Sequence, residues 1–256
     1  MQKIGKYEVN NIYNEDCYKA IKNIPDKSID LIYIDIPYEI TYSGGGCLQA
    51  RFNDKLRNTL SNNNNLTKGI DYSIFDEFVR ILKYIYIYIW CSKSQIYDIM
   101  NYFVNKGCNY QILVWVKDNA VPFGNLTFLS DKEVCLCFYE KGAKFNTGWE
   151  HKNTWYLSHI NYADKKEYDH PTIKPLEFVK NHILNSSKEG DVVLDCFMGS
   201  GTTAVACKEL GRNYIGFELN PTYWQIAVDR VNGISQKDKR IKETGQLSLF
   251  DLEENK

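Results

Sequence analysis

Residues 192–219 read VVLDCFMGSGTTAVACKELGRNYIGFEL, and the order of residue types in them decides the fold. Residues 191–196 form a short, mostly apolar run, as expected of a strand buried on both faces. Gly199 and Gly201 lie in the turn that follows, where they permit unusual dihedral angles and let a ligand approach the backbone. The pattern predicts a helix over 202–210, stopped by Gly211, and a second strand over 213–218 that ends on Glu218. Such a unit offers the free N–H groups of a helix N-terminus to a carboxylate or phosphate. An acid about twenty residues beyond the turn can accept hydrogen bonds from both hydroxyls of a ribose. Taken alone, the stretch fits several nucleotide cofactors, or a plain tight strand–helix connection. The third glycine of the dinucleotide pattern is absent, because Ala204 follows Thr203, and this weakens a nicotinamide reading.

Working outward, the same alternation continues. Strands are expected near 12–13, over 29–34, 84–90, 110–116 and 132–139, the last with alternating polar and apolar residues. Helices are expected over 17–23, 74–82, 94–105, from Pro175, and over 221–231. Strand–helix alternation of this kind predicts an α/β fold, a doubly wound and mostly parallel sheet with helices on both faces. The stretch 41–69, with three consecutive glycines and an asparagine run, reads as a loop or lid. The stretch 142–169 has weak periodicity and many aromatics. All four histidines fall between His151 and His182, without metal spacing, and most are expected to be surface or structural. The domain expected is 1–234, followed by a charged, loose tail over 235–256.

The chain has 256 residues, 31 Lys+Arg against 32 Asp+Glu and a net charge of −1, which argues against binding nucleic acid through a global field. Eight cysteines without CxxC spacing, and a start lacking an apolar signal core, read as reduced thiols in a cytoplasmic protein without a zinc site. The most apolar run, 85–91, is far short of a membrane span.

Asp35-Ile36-Pro37-Tyr38 lies just past a predicted buried strand, where α/β sheets place ligands. From its position alone Asp35 is a base, a metal ligand, a hydrogen-bond acceptor or a turn cap. The tetrapeptide resembles the Asp-Pro-Pro-Tyr motif of the amino-methylating DNA methyltransferases, which modify adenine N6 or cytosine N4. Residues 195–202 resemble that family's cofactor loop. His170-Pro171-Thr172-Ile173-Lys174-Pro175 resembles the segment leading into it, and Asn14-Glu15-Asp16-Cys17 with 29–32 resembles the entry to the catalytic strand. Catalytic motif first and cofactor loop last is the permuted order of the beta class. The resemblance spans about 11–232.

It implies a class I S-adenosylmethionine-dependent methyltransferase fold with a small inserted target-recognition element, and S-adenosylmethionine as cofactor without a metal. It further implies roles: Asp16, with Cys17 beside it, for the cofactor's adenine amino group; Glu218 for its ribose; Asp195, Phe197, Gly199, Ser200, Gly201, Thr202 and Thr203 around its methionine part; Thr172 and Lys174 at its carboxylate end. Asp35 and the Ile36 carbonyl would grip the two N–H groups of the target amine, directing its lone pair at the methyl, and Tyr38 would stack on the flipped base. Ile36 departs from the family proline, so the turn loses a fixed φ while the carbonyl remains. The substrate implied is adenine N6 in double-stranded DNA, in a bacterial or phage-infected cell, within or outside a restriction–modification pair. The alternatives are cytosine N4 and an inactive DNA- or cofactor-binding homologue. Arg51, Lys55, Arg57 and Lys68 in 41–69, and Lys152, Lys165 and Lys166 in 142–169, are candidate phosphate contacts. Trp149, Trp155 and Tyr156 are candidate wedges beside the vacated base. In the tail, Gln246, Leu247, Ser248, Leu249 and Phe250 resemble the pentapeptide that docks on the bacterial sliding clamp. Members of the class often dimerise, which makes a homodimer a candidate assembly.

Overall fold

Residues 31–35, LIYID, are apolar up to their last position because their strand is covered on both faces. In the computed structural model, which describes residues 2–39, 69–120, 128–143, 145–160, 173–235 and 239, this strand is β4 (Leu31–Asp35). It is central in an eight-stranded sheet with β3 (Asn11–Tyr13), β5 (Tyr86–Cys91), β6 (Asn109–Lys117), β7 (Lys132–Tyr139), β8 (Trp155–Ser158), β9 (Val192–Asp195) and β10 (Asn213–Phe217), in the order β3-β10-β9-β4-β5-β7-β6-β8. Strands β3, β10, β9, β4 and β5 are parallel. Strand β7 runs antiparallel to both β5 and β6, and β8 closes the edge parallel to β6. A small antiparallel ribbon, β1 (Lys3–Ile4) with β2 (Tyr7–Glu8), precedes the sheet.

The period of two along each strand divides the core into two layers. Ile32 and Ile34, with Ile87, Ile89, Leu136 and Phe138, meet α1 (Cys17–Ala20), α2 (Ile74–Ile81) and α3 (Ile96–Asn105). In α2 the buried residues Ile74, Phe75, Phe78 and Ile81 make one apolar stripe. Leu31 and Tyr33, with Tyr88, Trp90 and Val193, face the other way onto α4 (Leu176–Ser186), α5 (Thr202–Glu209) and α6 (Pro221–Val231). Each such fully buried aliphatic or aromatic side chain contributes roughly 1.5–3 kcal/mol of transfer free energy.

The expected elements fall within two residues of these bounds, except that the helix expected over 17–23 is α-helical only to Ala20 and ends in a 3-10 turn over Ile21–Asn23; two further differences concern strands. Strand β7 does not alternate in burial: Cys135, Leu136, Cys137 and Phe138 are all buried, because Leu136 and Phe138 pack into one core layer and Cys135 and Cys137 into the other. Part of the weakly periodic stretch 142–169 joins the sheet as β8, whose four residues are too few to show a period.

Candidate active site

Strands β4 and β9 are hydrogen-bonded neighbours, and both end in an aspartate, Asp35 and Asp195. The chain leaves β9 toward one side of the sheet and β4 toward the other, so a topological switch point lies between them. A cleft opens there, lined by Asp35, Lys174, Asp195, Phe197, Gly199 and Thr202 among others.

One half of this cleft is made of backbone. Gly199 (φ 52°) and Gly201 (φ 82°) both adopt the left-handed region. Gly201 caps α5, and a Cβ there would come within 3.0 Å of the Cα of Ala227 on α6, so angle and space both select glycine. The Asp195 carboxylate clamps the turn, accepting from the Phe197 N–H (2.9 Å) and the Thr203 hydroxyl (2.6 Å). Burial pushes Asp195 up to about 7, with those two donors opposing. The Glu218 carboxylate accepts from the Gly199 and Asn220 N–H groups, both at 2.8 Å, and burial raises its pKa against them. Each of its oxygens keeps a further lone pair. Asp16 caps α1 by accepting from the Tyr18 N–H (3.0 Å), and Asn14 donates to the Glu218 carbonyl (2.8 Å), so the Asn14–Asp16 segment borders the same turn. Cys17 is buried in the core with Cys196. Arg230, which no local pattern signals, donates to the hydroxyls of Ser200 (3.2 Å) and Thr202 (2.8 Å) from below.

The other half is made of side chains. The Lys174 ammonium is 2.5 Å from Asp35 Oδ2, 3.1 Å from Glu133 Oε2 and 3.3 Å from the Tyr38 hydroxyl. The Tyr38 hydroxyl donates to Glu133 (3.2 Å), and Lys117 closes the chain on Glu133 Oε1 (2.5 Å). Among the described residues, the buried Asp35 Oδ1 has no hydrogen-bond partner. Burial raises the Asp35 pKa, and the Lys174 ammonium opposes the rise. Burial acts the same way on Glu133, but Lys174 and Lys117 outweigh it and hold that carboxyl at about 2. Burial disfavours the charge on Lys174, yet its two carboxylates raise its pKa above the ordinary lysine value.

The tetrapeptide backbone is held as well. The Ile36 N–H donates to the Trp90 carbonyl (3.2 Å), a bond that proline cannot make, so the turn exchanges a fixed φ for an extra rung between β4 and β5. The fully buried Gln95 donates to the Pro37 carbonyl (3.0 Å). Beneath, Trp90 donates to the Tyr33 hydroxyl (2.8 Å), which meets His182 Nδ1 (3.1 Å). Burial pushes His182 down to about 3, so the ring is neutral and belongs to the core.

The structure therefore brings together Asp16, Asp35, Ile36, Pro37, Tyr38, Lys174, Asp195, the glycine turn and Glu218. Thr172 lies outside the described residues, as do Arg51, Lys55, Arg57, Lys68, Lys165, Lys166 and the tail pentapeptide. Glu133, Lys117, Gln95 and Arg230 escaped sequence reasoning. The one available signal was an acid, Glu133, opening an otherwise apolar run.

Three expectations about base wedges and phosphate contacts are corrected. Asn146 and Thr147 bond to Asn185, and His151 bonds to Asn181, all toward the C-terminal end of α4. Phe145 packs on Tyr86 and Tyr139, at the start of β5 and the end of β7. Lys152, whose ammonium sits 5.9 Å from the Trp149 ring and 5.7 Å from the Phe145 ring, thus lies with Trp149 toward the strand ends away from the cleft. Tyr156 packs between Phe178 (4.2 Å) and His182 (5.5 Å) rather than facing a base. Trp155 stays 60% exposed on the edge strand β8.

The N6/N4 methyltransferase family, described as DNA methylase, matches residues 29–229. This chain belongs to that DNA methylase family. The DNA methylase is 32% identical to the type II methyltransferase M.HpaI of Haemophilus parainfluenzae, over 88% of this chain and 76% of that protein. It is 30% identical to the DNA adenine methyltransferase YhdJ of Escherichia coli K12, over 94% and 91%. Among solved structures, the M1.HpyAVI–SAM complex superposes with a TM-score of 0.62 at 25% identity, over 86% of this chain and 98% of that one. The cytosine-N4-specific PvuII methyltransferase reaches 0.66 at 15% identity, over 96% and 99%, and shares the fold. Among the described residues of the methylase, no group of three His, Cys, Asp or Glu could hold a metal ion, and no helix is long and apolar enough to cross a membrane.

Proposed function

We propose that this methylase modifies N6 of adenine in double-stranded DNA, using S-adenosylmethionine. The observation that carries the reading is Asp35 Oδ1, a buried acceptor without a partner at the mouth of a cleft whose other wall is a glycine turn. A buried carboxylate oxygen is costly to leave unpaired, and an amino N–H satisfies it. The cleft suits the cofactor: Glu218 keeps lone pairs for ribose hydroxyls, Asp16 borders the turn for the adenine amine, and the turn admits close approach of the methionine part. When bound, the cofactor supplies an electrophilic sulfonium methyl.

The chain's own residues do the rest by positioning. An exocyclic amine is a poor nucleophile because its lone pair is delocalised into the ring. Asp35 Oδ1 and the Ile36 carbonyl accept its two N–H bonds, localising the lone pair and aiming it across the cleft. Lys174 opposes the protonation that burial favours at Asp35. No covalent intermediate is needed. Tyr38, held by Glu133 and Lys174, offers a ring face to a base that has left the duplex.

The permuted motif order supports a beta-class assignment, and the proposed domain is 1–234 with a recognition element within 142–169; the stretch 41–68 and nearly all of the tail 235–256 lie outside the described residues. The pattern Gln246, Leu247, Ser248, Leu249, Phe250 supports docking on a sliding clamp in the bacterial cytoplasm, and resemblance alone supports a homodimer. Deleting 246–250 should abolish capture by immobilised clamp. The enzymatic reading is tested by expressing the protein in cells lacking adenine methylation and analysing their DNA nucleosides by mass spectrometry. N6-methyladenine is expected; N4-methylcytosine would contradict the assignment.

A further inference from the structure

The ammonium of Lys174 has three N–H donors and three acceptors around it: Asp35 Oδ2, Glu133 Oε2 and the Tyr38 hydroxyl. The side chain is 7% exposed and lies 5.2 Å from the Trp90 ring centre. Its hydrogen bonds go to Asp35 Oδ2 and the Tyr38 hydroxyl and its second ion pair to Glu133 Oε2, and none of these contacts reaches Asp35 Oδ1. Lys117, 15% exposed, is held over the Trp115 ring at 5.1 Å and takes the second oxygen of Glu133, so that carboxylate cannot turn away from Lys174. Trp115 in turn donates to Ser158 at the end of β8. Four charges alternate in sign from β4 through residue 174 to β7 and β6.

Buried ion pairs seldom add net stability, because desolvation offsets their attraction. A row of four beside a cleft calls for another reason. We infer that Glu133 and Lys117 are positioning residues for methyl transfer: through Lys174 they hold Asp35 by Oδ2 alone, leaving Oδ1 as the acceptor that the target amine meets. The inference rests on the methyltransferase reading above. Without Glu133, Lys174 could rock between the two oxygens of Asp35 and occupy the one the substrate needs.

The groups facing Asp35 are Lys174 before α4, Glu133 and Cys135 on β7, Tyr38 and Tyr33 around β4, Cys91 on β5 and Asp195 on β9. The test is the pH profile of kcat at saturating cofactor and DNA for wild type, E133Q, E133D and K117Q, with cofactor affinity and the thermal midpoint measured alongside. Following kcat rather than kcat/KM reports groups in the loaded complex, so Asp195 of the free protein does not enter. In E133Q a like charge leaves Asp35 and the Lys174 charge becomes uncompensated. The acid limb should move to lower pH by about half a unit or more, with kcat reduced about 10- to 100-fold and cofactor affinity within about twofold of wild type. In K117Q a positive charge is lost and the limb should move the other way. E133D, which keeps the charge, should restore the wild-type limb. Limbs that stay put, or that move in one direction in both E133Q and K117Q, would overturn the inference. If E133Q does not fold, an unmoved limb in K117Q overturns it alone. A wild type that transfers no methyl to DNA sinks the methyltransferase reading itself; an active wild type with unmoved variants sinks only this inference.

Discussion

The two walls of the cleft hold their chemistry in different ways. The glycine-turn wall is built from one stretch of chain, 192–230, whose backbone is held by the Asp195 and Glu218 carboxylates and shaped by left-handed glycines. The Asp35 wall is built from side chains that arrive from separate elements: Asp35 on β4, Lys117 on β6, Glu133 on β7 and Lys174 before α4. The first is a local device that grips a ligand. The second is a long-range charge arrangement that engages one oxygen of Asp35 and leaves the other unpaired among the described residues. Binding and chemistry should therefore be separable by mutation.

The largest effect is expected at Asp35. D35A should lower kcat by about 10²- to 10³-fold, the range seen when one preorganised donor is removed, while cofactor affinity changes by only a few-fold. A matched loss in both, seen by calorimetry and single-turnover assays, would break the separation of the walls. Next comes G201A on the opposite wall. A Cβ in the left-handed region costs about 1–2 kcal/mol, and here it also meets Ala227 at 3.0 Å. Cofactor affinity should fall about 10-fold or more, with kcat at saturation much less affected.

A smaller effect concerns pH. Asp195 is pushed up to about 7 by burial, so it gains a proton as pH falls through neutrality and the turn loses a negative charge facing a cationic ligand. Cofactor affinity should weaken below about pH 7, and D195N should flatten that dependence; a slope unchanged in D195N would assign it elsewhere. The smallest effect is expected at Trp149, toward the strand ends away from the cleft. W149A should leave DNA affinity, measured by fluorescence anisotropy, within about twofold of wild type, and a large loss would put DNA on that face.

The same contrast explains what could be read in advance. Strand β9, the turn and α5 follow from glycine spacing and apolar runs, because each is fixed by neighbours in sequence. Asp35 was legible as a motif just past an apolar run. That Lys174 would serve Asp35 was not legible, since 139 residues separate them and only the sheet order brings β4 beside the segment leading into α4. Glu133 was hidden for a related reason. One acid at the start of β7 looks like a solvated strand end until β5 and β6 are known to flank it. Trp149 misled because exposure and aromaticity do not say which end of the sheet a residue occupies; the bonds from 146, 147 and 151 to α4 decide that.

The most direct test of the central claim treats unmethylated double-stranded DNA with purified protein and S-adenosylmethionine, wild type and D35A in parallel, and counts modified nucleosides by mass spectrometry. The account predicts N6-methyladenine from the wild type and none above background from a D35A protein that still binds cofactor. Undiminished N6-methyladenine from D35A, or N4-methylcytosine from the wild type, would contradict it.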